Sequence, residues 1–212
     1  PLASITFNIE MLSKREPQDE DSTELFDDTL VSVNRIKSIV KNILDFAKPA
    51  LPQFKLGRIE RVISRCAYLM KSQIKKKKIS VDFRIEDELP EIIFDDQQIG
   101  QVFVNLILNA MEAMPDGGRI GINARKGLDD SGAEDSLIVS ITDTGMGISS
   151  KHLPRIFDPF FTTKSEGTGL GLSIVHKILE QHDASINVTS ELNQGTTFVL
   201  KFPLLDNMRT YV

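Results

Sequence analysis

Only one cysteine occurs, Cys66, so no disulfide can form within the chain. The thiol is expected to be a buried structural group in a reducing compartment. There is no surplus of positive charge: 25 Lys and Arg stand against 30 Asp and Glu, a formal net charge of −5. That excludes the broad basic surface that duplex nucleic acid needs, and no nucleic-acid partner is expected. No apolar run approaches the roughly 20 residues of a membrane span. The longest candidate, Val102–Met111, is broken by Asn105 and Asn109, and no direct membrane contact is expected in this segment. No signal peptide or internal repeat is visible. No Gly-Lys pair occurs, so there is no P-loop, and the G-x-G-x-x-G spacing of a dinucleotide fold is missing too. What remains is an ordinary globular composition, 41% hydrophobic and 26% charged over 212 residues. The first residue is Pro1, not Met. The expectation is a cytoplasmic piece of a longer protein, with room upstream for the rest of a membrane-bound receptor.

Two periodicities divide the chain. Phe26, Thr29, Val33, Ile36, Val40, Ile43 and Ala47 alternate spacings of three and four, an a/d heptad stripe. Leu2, Ile5, Ile9 and Leu12 repeat it upstream, and the polar stretch Glu16–Ser22 with Pro17 lies between. An antiparallel helical hairpin over 1–48 is expected, and pairing with a second copy as a four-helix bundle would bury its apolar faces. Pro49 and Pro52 mark a linker at 49–53. Beyond it an α/β domain is expected at 54–205, with a tail at 206–212. Its predicted helices are Arg58–Lys77, with Ile59, Val62, Ile63, Cys66, Leu69 and Met70 on one face, Asp95–Met114 and Gly169–Gln181. Its predicted strands are Ile79–Ile85, Ile92–Phe94, Arg119–Arg125, Leu137–Thr142, Ala184–Thr189 and Thr196–Phe202, with a polar loop at Gly127–Asp135.

Four stretches carry chemistry. Asp143-Thr144-Gly145-Met146-Gly147 follows an apolar strand, and Gly167-Thr168-Gly169-Leu170-Gly171-Leu172 opens a helix. Glycine turns leading into a helix N-terminus offer free N–H groups and a positive dipole end to phosphate. Gln101, Asn105, Asn109 and Glu112 form a polar stripe on a helix whose other face is apolar. Asparagine is a poor interior helix former. Its amide oxygen, with a carboxylate nearby, suits Mg2+ shared with a substrate's phosphates, although a solvated polar stripe has the same pattern. Phe157-Asp158-Pro159-Phe160-Phe161-Thr162-Thr163-Lys164 reads as a lid. Its phenylalanines anchor the loop, and Thr162, Thr163 and Lys164 face an anion.

In order and spacing these segments resemble the sensor histidine kinases of two-component systems, whose nucleotide domain belongs with the gyrase and Hsp90 ATPases. Asn105–Ala110 is similar to the N box, Asp143–Gly147 to the G1 box, Phe157–Phe161 to the F box and Gly167–Leu172 to the G2 box. Gly195-Thr196-Thr197-Phe198 is similar to the turn into the last strand. Glu112–Pro115 with Thr162–Lys164 is most similar to the nitrogen-regulation type. The resemblance implies a two-layer α/β sandwich with a mixed sheet and helices on one face. It implies ATP and Mg2+ as cofactors, a homodimer through the hairpin, and a response-regulator receiver domain as partner. It places Mg2+ on Asn109, Asn105 near the phosphates, and the adenine amino group on Asp143. Gly145 and Gly147 lie against the base. Lys164, Thr168, Gly169 and Leu170 cradle phosphate, with Thr163, Gly171 and Leu172 beside them, and Phe160 and Phe161 seat the lid. The phosphoacceptor histidine is expected upstream of residue 1, five residues before the Pro1-Leu2 pair. His152, expected in a surface helix, and His176 and His182 are read as surface or packing residues. Asp183-Ala184 stands where the family often has two glycines.

Three other functions share part of this pattern. A gyrase-type hydrolase uses a glutamate where Asn105 stands, and an amide is no general base. An aspartic protease needs two Asp-Thr-Gly carboxylates, and one is present. A degenerate kinase would hold ATP only as a structural ligand and dock a response regulator.

Overall fold

The computed structural model describes residues 2–13, 25–26, 28–33, 36–37, 40, 51–128, 132, 134–164 and 167–204. They fall into two compact units, Pro1–Ala50 and Leu51–Val212.

In the first unit, helix α1 spans Leu2–Ser13. The heptad positions Phe26, Thr29, Val33, Ile36 and Val40 are also helical. Val33 is buried, whereas Ile5, Leu12, Ile36 and Val40 are exposed. Ile43, Ala47, Glu16–Ser22 and the tail at 206–212 lie outside the described residues.

The second unit runs β1 (Lys55–Gly57), α2 (Ile59–Lys76), β2 (Ile79–Ile85), β3 (Ile92–Phe94), α3 (Asp96–Glu112), β4 (Gly118–Leu128) and β5 (Glu134–Asp143). A 3-10 turn (Leu153–Arg155), α4 (Gly171–Gln181), β6 (Ser185–Glu191) and β7 (Gly195–Pro203) follow. The main sheet has the order β2-β4-β5-β7-β6, and β1 and β3 pair separately. β2 and β4 are parallel and the remaining pairs antiparallel, so the sheet is mixed. Strand alternation makes it one-sided. Ile120, Ile122 and Ala124, Leu137, Val139 and Ile141, and Phe198, Leu200 and Phe202 are all buried. They lie opposite one another across β4, β5 and β7, whereas Arg119, Arg125, Thr142 and Lys201 point to solvent. Helix α3 packs on β5 between α2 and α4. Ile99, Val102, Phe103, Leu106 and Ile107 form its buried face. Each is worth roughly 1.5–3 kcal/mol of transfer free energy.

Several boundaries differ from the sequence reading. The loop between β4 and β5 is shorter than expected, because β4 runs to Leu128 and β5 starts at Glu134. Helix α4 starts at Gly171; Gly169 has φ +67°, outside the helical region. His152 precedes the 3-10 turn and is not part of a longer helix. Leu69 is 68% exposed, while Ile74 takes a place on the buried face of α2.

A buried hub fixes where the chain enters this unit. Asp95 caps α3, its Oδ1 accepting from the N–H groups of Gln97 (2.8 Å) and Gln98 (3.0 Å). Its Oδ2 accepts from Gln53 N–H at 2.6 Å. His182, 2% exposed, stands at the end of α4. Its Nδ1 lies 2.7 Å from the Ile178 carbonyl oxygen and its Nε2 accepts from Asp95 N–H at 3.0 Å. Nδ1 therefore carries the proton and the ring is neutral. Phe54 meets the ring edge-on at 5.1 Å. Asp183, with φ +51°, takes the left-handed place after the helix. The bonds Ala184 N–H to Leu179 O and Asp183 N–H to Glu180 O close a Schellman turn without glycine.

Burial pushes His182 below the ordinary histidine value of 6.5, against the pull of the Ile178 carbonyl, Asp95 and Asp183. The unfolded chain then takes up a proton that the folded chain refuses. Stability should be full above about pH 6.5 and fall as pH drops toward the depressed folded value. Asp95 is also buried, but the N–H bonds from Gln53, Gln98 and Gln97 leave it lowered from 3.8, so its contribution is lost only at stronger acid. Urea midpoints between pH 7.5 and 5 should fall in the wild type and flatten in His182→Gln. An equal slope in both would remove His182 as the cause.

Candidate nucleotide site

The alternation that buries Leu137, Val139 and Ile141 continues to Asp143, so a carboxylate ends an apolar row. Asp143 is 5% exposed. Its Oδ1 accepts from Gly145 N–H at 2.8 Å, and Thr196 N–H, across β7, also bonds to the carboxylate. Burial pushes this carboxyl above its ordinary range, and the two N–H groups and the Lys164 charge pull against that. After Gly145 the loop crosses the end of α3, where Met146 N–H donates to the Ala113 carbonyl at 3.1 Å. A Cβ on Gly145 would stand 2.7 Å from that of Ala113, and one on Gly147 would overlap the Glu191 carbonyl. These two glycines bring the Asp143 loop against α3 and the β6–β7 turn.

Asn105 and Asn109 are half-buried on α3. The Oδ1 of Asn105 lies 3.6 Å from where a Cβ on Gly171 would be, at the first residue of α4. That helix has no side-chain cap and no acidic residue in its first turn. Its N–H groups and dipole are left for an external anion, whereas the N-terminus of α3 is already closed by Asp95. Leu170 N–H donates to Thr168 Oγ1 at 3.3 Å, and Leu170 O accepts from Ser173 Oγ at 2.9 Å. Leu172 and Thr168 are half-buried and Thr163 is exposed.

The lid is held by rings. Phe157 lies 5.3 Å from the His176 ring and Phe161 5.7 Å from that of His152. The Arg155 guanidinium sits 4.7 Å over Phe161. The Phe160 side chain is 63% exposed. Its backbone, at φ +66°, fits the space that a Cβ on Gly169 would fill. Phe157 and Phe161 therefore anchor the lid through their rings, and Phe160 through its main chain. Lys164 reaches back to α3: its Nζ pairs with Glu112 Oε2 and lies 3.5 Å from Asn109 Oδ1. Sequence reasoning missed this pair and the Asp95–His182 hub. Glu112 stood on the polar stripe already, but no local pattern joins it to a lysine 52 positions on.

Among the described residues no group of three or more His, Cys, Asp or Glu could cage a metal. A divalent cation here would rest on one or two oxygens of α3 and on phosphate, the ordinary arrangement for Mg2+. Asn109 Oδ1 and the Glu112 carboxylate fit that need, since both already face an ammonium group. No helix among the described residues is long and apolar enough to cross a membrane.

Residues 94–206 match the family described as "Histidine kinase-, DNA gyrase B-, and HSP90-like ATPase", and residues 1–51 match "His Kinase A (phospho-acceptor) domain". The chain is 35% identical over 204 residues to the sensor histidine kinase ZraS of Escherichia coli K12, covering 96% of this chain and 43% of ZraS. It spans less than half the length of that relative. The catalytic domain of the histidine kinase ThkA is 32% identical, with 71% of this chain and 95% of that one covered at a TM-score of 0.63. A structure of ThkA in complex with the response regulator TrrA is 27% identical, covering 98% and 59% at a TM-score of 0.74.

Proposed function

Because this chain belongs to the sensor histidine kinases, within the histidine kinase-, gyrase- and HSP90-like ATPases, we propose that it binds ATP·Mg and transfers the γ-phosphoryl group to a histidine, for relay to an aspartate of a response-regulator receiver domain. One observation carries the reading. The last turns of α3 meet the uncapped start of α4 at Asn105, the lid lysine at Asn109 and Glu112, and the loop after Asp143 at Ala113. Asp143 is the acceptor for the adenine amino group, with Gly145 and Gly147 letting the base approach. Asn109, with Glu112 beside it, would hold Mg2+, which supplies charge neutralisation at the phosphates. Asn105, Lys164, Thr168, Gly169 and Leu170 face those phosphates, with Thr163, Gly171 and Leu172 alongside. Phosphoryl transfer asks the protein mainly for positioning and electrostatics. An amide at position 105 favours transfer over water activation, since it cannot take a proton.

The exposed Ile5, Leu12, Ile36 and Val40 suit a hairpin, with boundaries near 1–48, that is covered by a second copy. The linker at 49–53 leads into the nucleotide domain at about 54–205, followed by a tail at 206–212. A cytoplasmic setting follows from this activity. The nitrogen-regulation subtype rests on Glu112–Pro115 and Thr162–Lys164 alone.

Residues 1–51, matched to the phospho-acceptor domain, contain no histidine. Incubated with γ-labelled ATP, this chain should stay unlabelled but label a separate hairpin that carries one. Transfer should be slow without tethering, and the label lost in acid but stable in base. Asn109→Ala should abolish transfer and the Mg2+ dependence of ATP binding. Acid-labile labelling of this chain alone, on His152, His176 or His182, would overturn the assignment.

A further inference from the structure

The ion pair between the lid and α3 has a geometry that a solvated surface pair does not require. Asn109 and Glu112 are three residues apart on α3, hence on the same side of the helix. Their oxygens converge on one ammonium, that of Lys164. The lysine is presented by a local turn, in which Thr162 Oγ1 accepts from Lys164 N–H at 3.1 Å. The rings of Phe157 and Phe161 hold the segment before it. A cation on the lid thus occupies the oxygens that suit a divalent cation.

We infer that Lys164 is a stand-in cation and Glu112 the residue that positions it. In the nucleotide-free chain the ammonium fills the place beside Asn109 and Glu112, and it gives that place up when metal-bound nucleotide arrives. This deepens the reading of an ATP·Mg site and rests on it. Two cations cannot share the Asn109 amide oxygen without repulsion, so Lys164 must leave as the metal is seated. Once released, its ammonium has the phosphate oxygens as its nearest anionic partners, which a compact charge on a flexible stem can follow. Glu112 serves both states. It faces the ammonium before the exchange and adds negative charge beside the metal after it. Both side chains are about half exposed, 44% for Lys164 and 50% for Glu112. An exposed pair is worth no more than about a fivefold bias. The latch is weak enough for the nucleotide to open, and metal seating and lid release become one event.

Glu112→Gln tests this with two readouts besides transfer. The substitution is nearly isosteric at a half-exposed position, and a thermal melt should show the fold intact. First, tryptic cleavage after Lys164 in the nucleotide-free chain, followed by mass spectrometry, should be up to about fivefold faster in the variant, because the lysine is unlatched. Second, calorimetric titration with ATP, in EDTA and in Mg2+, gives the gain in affinity that the metal confers. That gain should shrink several-fold in Glu112→Gln. Metal-free ATP should bind the variant more tightly than the wild type, since a negative charge beside the phosphates is gone. An unchanged cleavage rate, or an unchanged metal gain, overturns the inference. A wild-type chain that binds ATP with a metal gain indifferent to Glu112 overturns this inference alone. A wild-type chain that binds no ATP, with or without Mg2+, overturns the kinase reading and this inference together.

Discussion

Asp143→Asn is expected to lower ATP affinity ten- to a hundredfold and leave the domain folded. The loss is that of a charge-assisted hydrogen bond, worth about 1.5–3 kcal/mol. The fold should survive because two changes oppose each other. Burial already pushes the Asp143 carboxyl up, so its ionised form is disfavoured in the folded chain, and a neutral amide relieves that. Against this, an amide has one acceptor oxygen for the N–H groups of Gly145 and Thr196, which now share a carboxylate. A net change in stability within about 1 kcal/mol is expected. A residue whose removal weakens ligand binding far more than it weakens the fold is held in place for the ligand. Calorimetric titration of the variant with ATP, beside a urea unfolding curve, decides it. Wild-type affinity would take Asp143 out of the site.

Gly195→Ala is expected to strike fold and site together. Gly195 has φ +108°, a region that side chains with a Cβ rarely enter. A Cβ there would also overlap the Asp143 carbonyl oxygen and approach Thr144 Cα at 3.1 Å. These contacts are backbone and cannot turn aside like the end of a side chain. Strain and displacement together should cost about 3 kcal/mol. The atoms displaced belong to the strand end that carries Asp143, the proposed adenine acceptor, so ATP affinity should fall in the fraction that still folds. Urea unfolding and titration at a temperature where the variant is native check both. A variant within about 0.5 kcal/mol of wild type would show that the turn relaxes.

Much of this was legible in the residues. Helix α3 announced itself because its apolar positions keep helical spacing and Pro115 stops it. Strand β4 did so through alternation, and β5 as an apolar run that ends at Asp143. Asp143 was legible as a carboxylate at the end of an apolar strand. What sequence hid depends on distance along the chain. Lys55–Gly57 has too little pattern to be read as a strand; it is one because Ile92–Phe94 lies beside it. Leu69 and Ile74 both suit a helical stripe, and only the position of the sheet decides that Leu69 faces water. Gly169 reads as the start of a helix until the Phe160 backbone occupies the space beside it. The Asp95–His182 bond joins residues 87 apart, so neither residue alone betrays it. Glu112 and Lys164 each looked like a site residue or a surface charge, and their pairing appears only once the lid is folded back.

The strand order sets a timetable for synthesis. β7 is inserted between β5 and β6, so the strand that completes the Asp143 position leaves the ribosome after the other strands of this sheet. A nascent chain that has just passed Asp143 has α3 and the Asp143 carboxylate, but the strand carrying it is still a sheet edge and Thr196 does not yet exist to hold the carboxylate. Roughly 60 residues separate Asp143 from Pro203, about 3–12 s of elongation at ordinary rates. Through that interval Leu137, Val139 and Ile141 wait with one flank unpaired, open to the wrong strand or to a chaperone. Until β7 is in place, the Asp143 carboxylate lacks the Thr196 N–H that holds it in the finished domain.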